Sequence, residues 1–159
     1  MSTLSISEEH PPFPLRWITA TNNELAPLII RTVLGAIVFP HGAQKLLGWF
    51  GGYGFEGTMS FFTEVVQLPY PLALGVILTE FFAPLFLLLG LVTRLAALLV
   101  GFLFTGIILI SHLPFGFFMN WEGNQAGEGF EYHLLILGMV VSLLVSGGGK
   151  FSVDHRWTK

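Results

Sequence analysis

The sequence predicts an all-α membrane protein: a four-transmembrane-helix bundle with a short interfacial helix between helices 1 and 2. Three observations predict it. Of 159 residues, 53% are hydrophobic and 11% are charged, whereas a soluble domain carries about 25% charged residues. The apolar residues gather in four runs near the ~20 residues that a spanning helix needs. Within these runs apolar and polar residues do not alternate, as the strands of a membrane barrel would require. The mean hydropathy of +0.72 agrees with lipid as the main solvent.

The first run is Leu25–Leu47, long enough to span although it carries Arg31, Pro40, His41 and Lys45. The second, Pro71–Val92, has Glu80 as its one ionisable residue, and the third, Leu95–Phe118, has no Asp, Glu, Lys or Arg. The fourth, Phe130–Ser146, is short and is followed by Gly147, Gly148 and Gly149, which terminate it. Between the first and second runs, Gly51, Gly52, Gly54 and Gly57 give a flexible entry. There Thr58–Leu68 forms a short amphipathic helix with Phe61, Phe62, Val65 and Val66 on one face. Such a helix lies in the membrane interface or packs on the mouth of the bundle. Met119–Gly129 is a polar, Gly-rich loop. The glycines inside the runs (Gly35, Gly75, Gly90, Gly101, Gly106 and Gly138) read as points of close helix packing.

The chain therefore divides into a cytoplasmic N-terminal arm, residues 1–24, a transmembrane domain, 25–149, and a cytoplasmic tail, 150–159. The arm has no basic start followed by an apolar core, so it is not a signal peptide. Trp17 suits the headgroup level. Orientation follows from the cations. Arg16, Arg94, Lys150, Arg156 and Lys159 fall in the arm, the tight turn at Thr93–Arg94 and the tail, and the other loops offer only Lys45. Positive residues stay cytoplasmic, which puts both termini inside.

Composition also excludes function classes. The chain has no cysteine, so disulfides, thiolate zinc, c-type haem, iron–sulfur ligation and a thiol nucleophile are out. Seven scattered cations make no phosphate-tracking surface, so no nucleic acid is expected as a partner. Membrane lipid is.

Two groups of polar residues fall inside the apolar runs. Glu80 sits near the midplane, where a lone carboxylate costs several kcal/mol. Arg31 enters about 9 Å from the cytoplasmic side, and the two differ in height by about 5–6 Å. An Arg31–Glu80 pair between the first two spans is expected, either fixing their packing or handling protons or ligand. Pro84, four residues beyond Glu80, leaves the Glu80 carbonyl without its helical donor, marking a polar spot. The second group lies towards the outer face. His41, with Gln44 and Lys45 at i+3 and i+4, reaches the same level as His112 and as Glu131, Tyr132 and His133. Asn120, Trp121 and Glu122 lie in the loop above. Donors and proton carriers at one level suit a quinone headgroup. Three histidines with Glu131 could instead bind a metal ion, and two histidines on different helices a b-type haem. His, Tyr and Trp also gather wherever membrane meets water.

In their order and spacing these residues resemble the DoxX family of small four-helix membrane proteins. The likeness rests on Arg31, on HGAQKLLG from His41 to Gly48, on Leu68-Pro69 and on Glu80 in mid-span. It continues through LLGLVTR from Leu88 to Arg94, Glu131-Tyr132, and GGGKFSVD from Gly147 to Asp154. It covers about Leu25 to Asp154 and leaves out the Pro-rich arm. The resemblance implies a bacterial inner-membrane bundle linked to quinone-dependent redox systems, and carries fold better than reaction.

The expected function is an integral membrane subunit linked to a quinone-dependent oxidoreductase or respiratory system. Arg31 and Glu80 would form its buried polar pair. His41, Gln44, Lys45, His112, Glu131 and Tyr132 would line a quinone or proton-exchange site at the outer face. No flavin, nicotinamide or iron–sulfur motif is present, so electrons would come from a partner redox subunit. The rival reading is a non-catalytic accessory subunit, packed in a larger membrane complex or a homo-oligomer. A small-solute transporter fits less well, lacking the paired repeats of that class.

Overall fold

In the computed structural model, residues 17–157 are described. Most of the predicted arm, with Arg16, and Lys159 of the tail lie outside them. Among the described residues the chain is helical throughout, without strands. The long elements are α1 (Leu25–Leu47), α3 (Tyr70–Leu89), α4 (Thr93–Ile107) and α5 (Glu131–Ser146), with short helices α2 (Gly54–Ser60) and α6 (Val153–Trp157). α4 runs on through a π turn, Ile108–His112, and a 3-10 turn, Leu113–Phe115. Three helical stretches are long and apolar enough to cross a membrane: Leu25–Leu47, Tyr70–Leu89 and Thr93–Phe115. α5, at 16 residues, is apolar but shorter.

Helix ends follow local chemistry. Gly48, Gly90 and Gly147 close α1, α3 and α5 with positive φ, a conformation glycine adopts at no steric cost. The third span begins two residues earlier than its hydropathy suggests and stops at Phe115. The turn before it is Gly90–Val92, so Thr93 and Arg94 belong to the helix rather than to the turn. The short helix between the first two spans also starts early, at Gly54, and continues as a π turn over Phe61–Val65. The i→i+5 bonding there, Val66 N–H to Phe61 O at 3.1 Å, breaks the 3.6-residue period. Phe62 and Val66 turn inward and Val65 is left 68% exposed.

α1 packs on α3 in antiparallel fashion, Gly35 facing Pro84 and Leu88, and Gly42 facing Glu80 and Phe81. α4 folds back along α3, and α5 along α4, with Gly101 against Val140. Leu34, Val38, Leu87, Val100, Ile136 and Leu143 form the centre of the core, contributed by all four helices. The glycines divide. Gly35 and Gly101 are packing points, Gly90 is a turn, and Gly75, Gly106 and Gly138 have nothing within 4 Å of an added Cβ. The tightest helix contact is at Gly42, where a Cβ would meet the Glu80 carbonyl oxygen at 2.2 Å. That is the carbonyl freed by Pro84, and the bare glycine backbone covers it. Gly42→Ala must push backbone against backbone. We expect it to destabilise the fold by about 1–3 kcal/mol, read as a lower thermal midpoint in detergent, whereas Gly138→Ala does not lower it.

The chain enters α1 and leaves α5 at the same end of the bundle. Asn22 N–H donates to Ser146 O at 3.2 Å, Lys150 N–H to Glu24 O at 2.9 Å, and Gly149 N–H to Thr21 Oγ1 at 2.6 Å. Arg94 joins this end, donating to Trp17 O and Val145 O at 3.0 and 2.9 Å with its guanidinium over the Trp17 ring. Arg31, Arg94 and Lys150 therefore gather at one end and Lys45 at the other.

Candidate functional site

The one salt bridge among the described residues joins Lys45 to Glu80, Nζ to Oε1 at 2.7 Å. Lys45 reaches it from the last turn of α1 and Glu80 from the middle of α3. The Glu80 side chain is 4% exposed and that of Lys45 28%. The second carboxylate oxygen, Oε2, is buried with no hydrogen-bond partner. A half-satisfied carboxylate at this depth is costly, and it remains available to a further donor. Lys45 also lines a cavity of about 440 Å³ with Gln44, Gly52, Tyr53, Thr58 and Phe62. The Gly48–Gly54 turn shapes its rim. Gln44 Nε2 donates to Phe50 O at 3.3 Å, and Gly52 lies against the Gln44 backbone so closely that any Cβ would clash. One polar wall, made by an ammonium and a carboxamide, thus faces aromatic rings.

The expected Arg31–Glu80 pair does not form. Arg31 is 2% exposed and turns to backbone carbonyls at the end of the bundle where the termini meet. Nε donates to Gly148 O at 2.8 Å, and Nη1 to Leu87 O and Leu88 O at 2.9 and 2.6 Å. The reason is register. Counting heights from the cytoplasmic side takes the start of α1 as level with the end of α3, but Arg31 lies level with Leu87 and Leu88 and Glu80 lies opposite Gly42, eleven residues or about 16 Å along α1 from Arg31. Two of the carbonyls Arg31 takes lie at the C-terminal end of α3, which attracts cations; Leu87 O also accepts Gly90 N–H at 3.1 Å.

Asp154, which residue patterning did not single out, completes that end. Its Oδ1 accepts Val92 N–H at 2.7 Å and its Oδ2 accepts Thr93 N–H at 2.8 Å. It caps α4 and holds Val92 at φ 43, a strained value for a β-branched residue. Burial pushes the Asp154 carboxyl above the ordinary carboxylate range, opposed by the hydrogen bonds from Thr93 and Val92 and by Arg31. The signal in the sequence was an aspartate just past a triple glycine.

The remaining outer residues form a second, separate group. His112 Nδ1 lies 2.8 Å from Glu128 O, and its ring meets that of His133 tilted by 43°, with centroids 4.2 Å apart. His133 is 8% exposed, lies against Phe104, and keeps a buried Nδ1 without a partner. Glu131 Oε1 accepts Met119 N–H at 2.9 Å and Trp121 Nε1–H at 3.3 Å, and Glu128 accepts Asn120 N–H at 2.7 Å. These carboxylates knit the outer loop over the start of α5. Tyr132 points outward, 40% exposed. His41 is exposed and makes no hydrogen bond among the described residues. Of the predicted set, then, Gln44 and Lys45 share a cavity, with Glu80 behind Lys45. His112 and Glu131 stand in the loop group, Tyr132 meets it only through its ring edge-on to His133, centroids 6.4 Å apart, and His41 joins neither. Two rings as close as those of His112 and His133 leave no room for a porphyrin between them. Among the described residues no three His, Asp or Glu side chains form a metal-holding group. On the cavity wall the Lys45 ammonium and the Gln44 carboxamide can donate, while the free Glu80 oxygen can only accept.

Fold and site define a helical protein, apolar enough to cross a membrane, that holds a buried ammonium–carboxylate pair beside a cavity. The chain belongs to the DoxX family: the family model DoxX matches residues 26–113, more than half its length. It is 29% identical over 120 residues to the Bacillus subtilis (strain 168) protein named "Putative oxidoreductase CatD", a similarity covering 76% of this chain and 79% of that one. No solved structure matches it significantly.

Proposed function

We propose that this DoxX-family membrane protein crosses the bacterial inner membrane four times, with both termini cytoplasmic, and serves a redox system by binding a quinone at the Lys45 cavity. The meeting of both chain ends at one end of the bundle supports an even number of crossings. The cations gathered there support a cytoplasmic location for that end. The name of the Bacillus subtilis relative supports a redox role.

The observation that carries the site is a Lys45 ammonium, held by the buried Glu80, that lines the cavity beside the Gln44 carboxamide. Lys45 has donors to spare beyond its bond to Glu80, and Gln44 has a second amide hydrogen. Together they hydrogen-bond a quinone carbonyl, while Tyr53 and Phe62 provide apolar contact for the ring. Glu80, shielded behind Lys45, is the group that exchanges a proton with the bound ring. Electrons come from a partner redox subunit. The His112–Glu131 group orders the outer loop in this reading rather than forming part of the ring site.

A tail-free benzoquinone added to purified protein should raise the thermal midpoint in a saturable manner, as a ligand of the native state does. The shift should vanish in Lys45→Met/Glu80→Gln and persist in His112→Ala. No shift in the wild type, or loss only in His112→Ala, contradicts the reading.

A further inference from the structure

The Lys45 cavity does not end at its aromatic wall. Phe61 and Phe62, which close it on one side, also line a second hollow of about 410 Å³ between the π turn after α2, α3 and α4. This groove is apolar apart from Thr79 and Ser111, and it runs along α4 from Leu99 to Ser111, about 18 Å of helix. Two glycines hold it open. Gly75 on α3 and Gly106 on α4 both line it, and an added Cβ at either would meet nothing within 4 Å. Neither glycine is required for helix packing, which sets them apart from Gly35 and Gly42.

We infer that the groove takes the polyprenyl tail of a membrane quinone whose ring sits at Lys45, so that the ligand class is the lipid-soluble quinone pool rather than water-soluble quinones. This rests on the ring site proposed above and adds the tail to it. A branched, flat, apolar chain matches a groove walled by Leu72, Val76, Phe102 and Ile110. The alternative occupant is a phospholipid, whose acyl chain would fit equally well. Its phosphate would need an uncompensated cation at the polar end, and Lys45 is already neutralised by Glu80. The charge of the site therefore favours a neutral headgroup.

The test compares two probes on purified protein in nanodiscs: dimethoxy-methyl-benzoquinone without a tail, and the same ring with a short isoprenoid tail. At Gly75 and Gly106 an added Cβ meets nothing within 4 Å, so Gly75→Leu and Gly106→Leu place their side chains in the groove. We expect each to weaken binding of the tailed probe by about tenfold or more, the loss of two or more buried methylene contacts, and to leave the tail-free probe unchanged. Unchanged affinity for the tailed probe in both variants overturns the groove assignment, as does an equal loss for both probes. Displacement of the tailed probe by added phosphatidylglycerol as readily as by unlabelled quinone overturns it too. The ring site stands or falls separately, on whether Lys45→Met/Glu80→Gln abolishes binding of the tail-free probe.

Discussion

Arg31→Ala lowers the stability of the folded protein by about 3 kcal/mol or more. The guanidinium is 2% exposed and satisfies carbonyls from two separated stretches, Leu87 and Leu88 at the end of α3 and Gly148 after α5. Removing it takes the donor from the Leu88 and Gly148 carbonyls, at about 1–3 kcal/mol each, and unlinks the last turn of α3 from the chain that leaves α5. The thermal midpoint in mild detergent should fall by about 6–12 °C, using the usual scaling for a chain of this size. Arg31→Lys recovers less than half of the loss, because one ammonium cannot donate to both stretches at once. A midpoint within about 2 °C of wild type for Arg31→Ala would show that the contacts carry no weight.

The second large effect is at the ion pair. Lys45→Met strands a buried carboxylate and should destabilise the fold by about 3–5 kcal/mol. Glu80→Gln is milder, because the Lys45 side chain is 28% exposed towards its cavity and its ammonium can reach water. Lys45→Met/Glu80→Gln removes both charges and should return most of the stability, giving a positive coupling of about 2 kcal/mol in a double-mutant cycle. Strictly additive effects would mean that the two side chains do not act as a pair. The double variant then separates architecture from function, because it should fold and yet bind no quinone.

The fold was legible because long apolar runs admit few arrangements in lipid. The four runs, the glycine stops and the gathering of cations at one end all emerge from residue order alone. The partners of the buried charges were not legible. Height along a helix can be counted, but the count needs a common origin, and in this antiparallel pair the end of α3 is level with Arg31 rather than with the start of α1. Gly42 was the clue: it lies seven residues from Gly35 on the same face, a spacing at which small residues let two backbones meet, and it fixes Glu80 within reach of Lys45. Direction around a helix is harder still. His41 and Lys45 differ by about 40° in projection, enough for Lys45 to turn inward while His41 stays outside. The π turns at Phe61–Val65 and Ile108–His112 break the 3.6-residue count, and no periodicity announces them. They set which way Phe62 and His112 face.

The most direct measurement is covalent mapping with a photoreactive azido-quinone on the protein in its native membrane, followed by peptide mass spectrometry. The account predicts labelling within residues 44–62, the stretch from Gln44 to Phe62 that walls the cavity, and loss of that label in Lys45→Met/Glu80→Gln. Labelling centred on His112 and His133, or a pattern the double variant leaves unaltered, would contradict it.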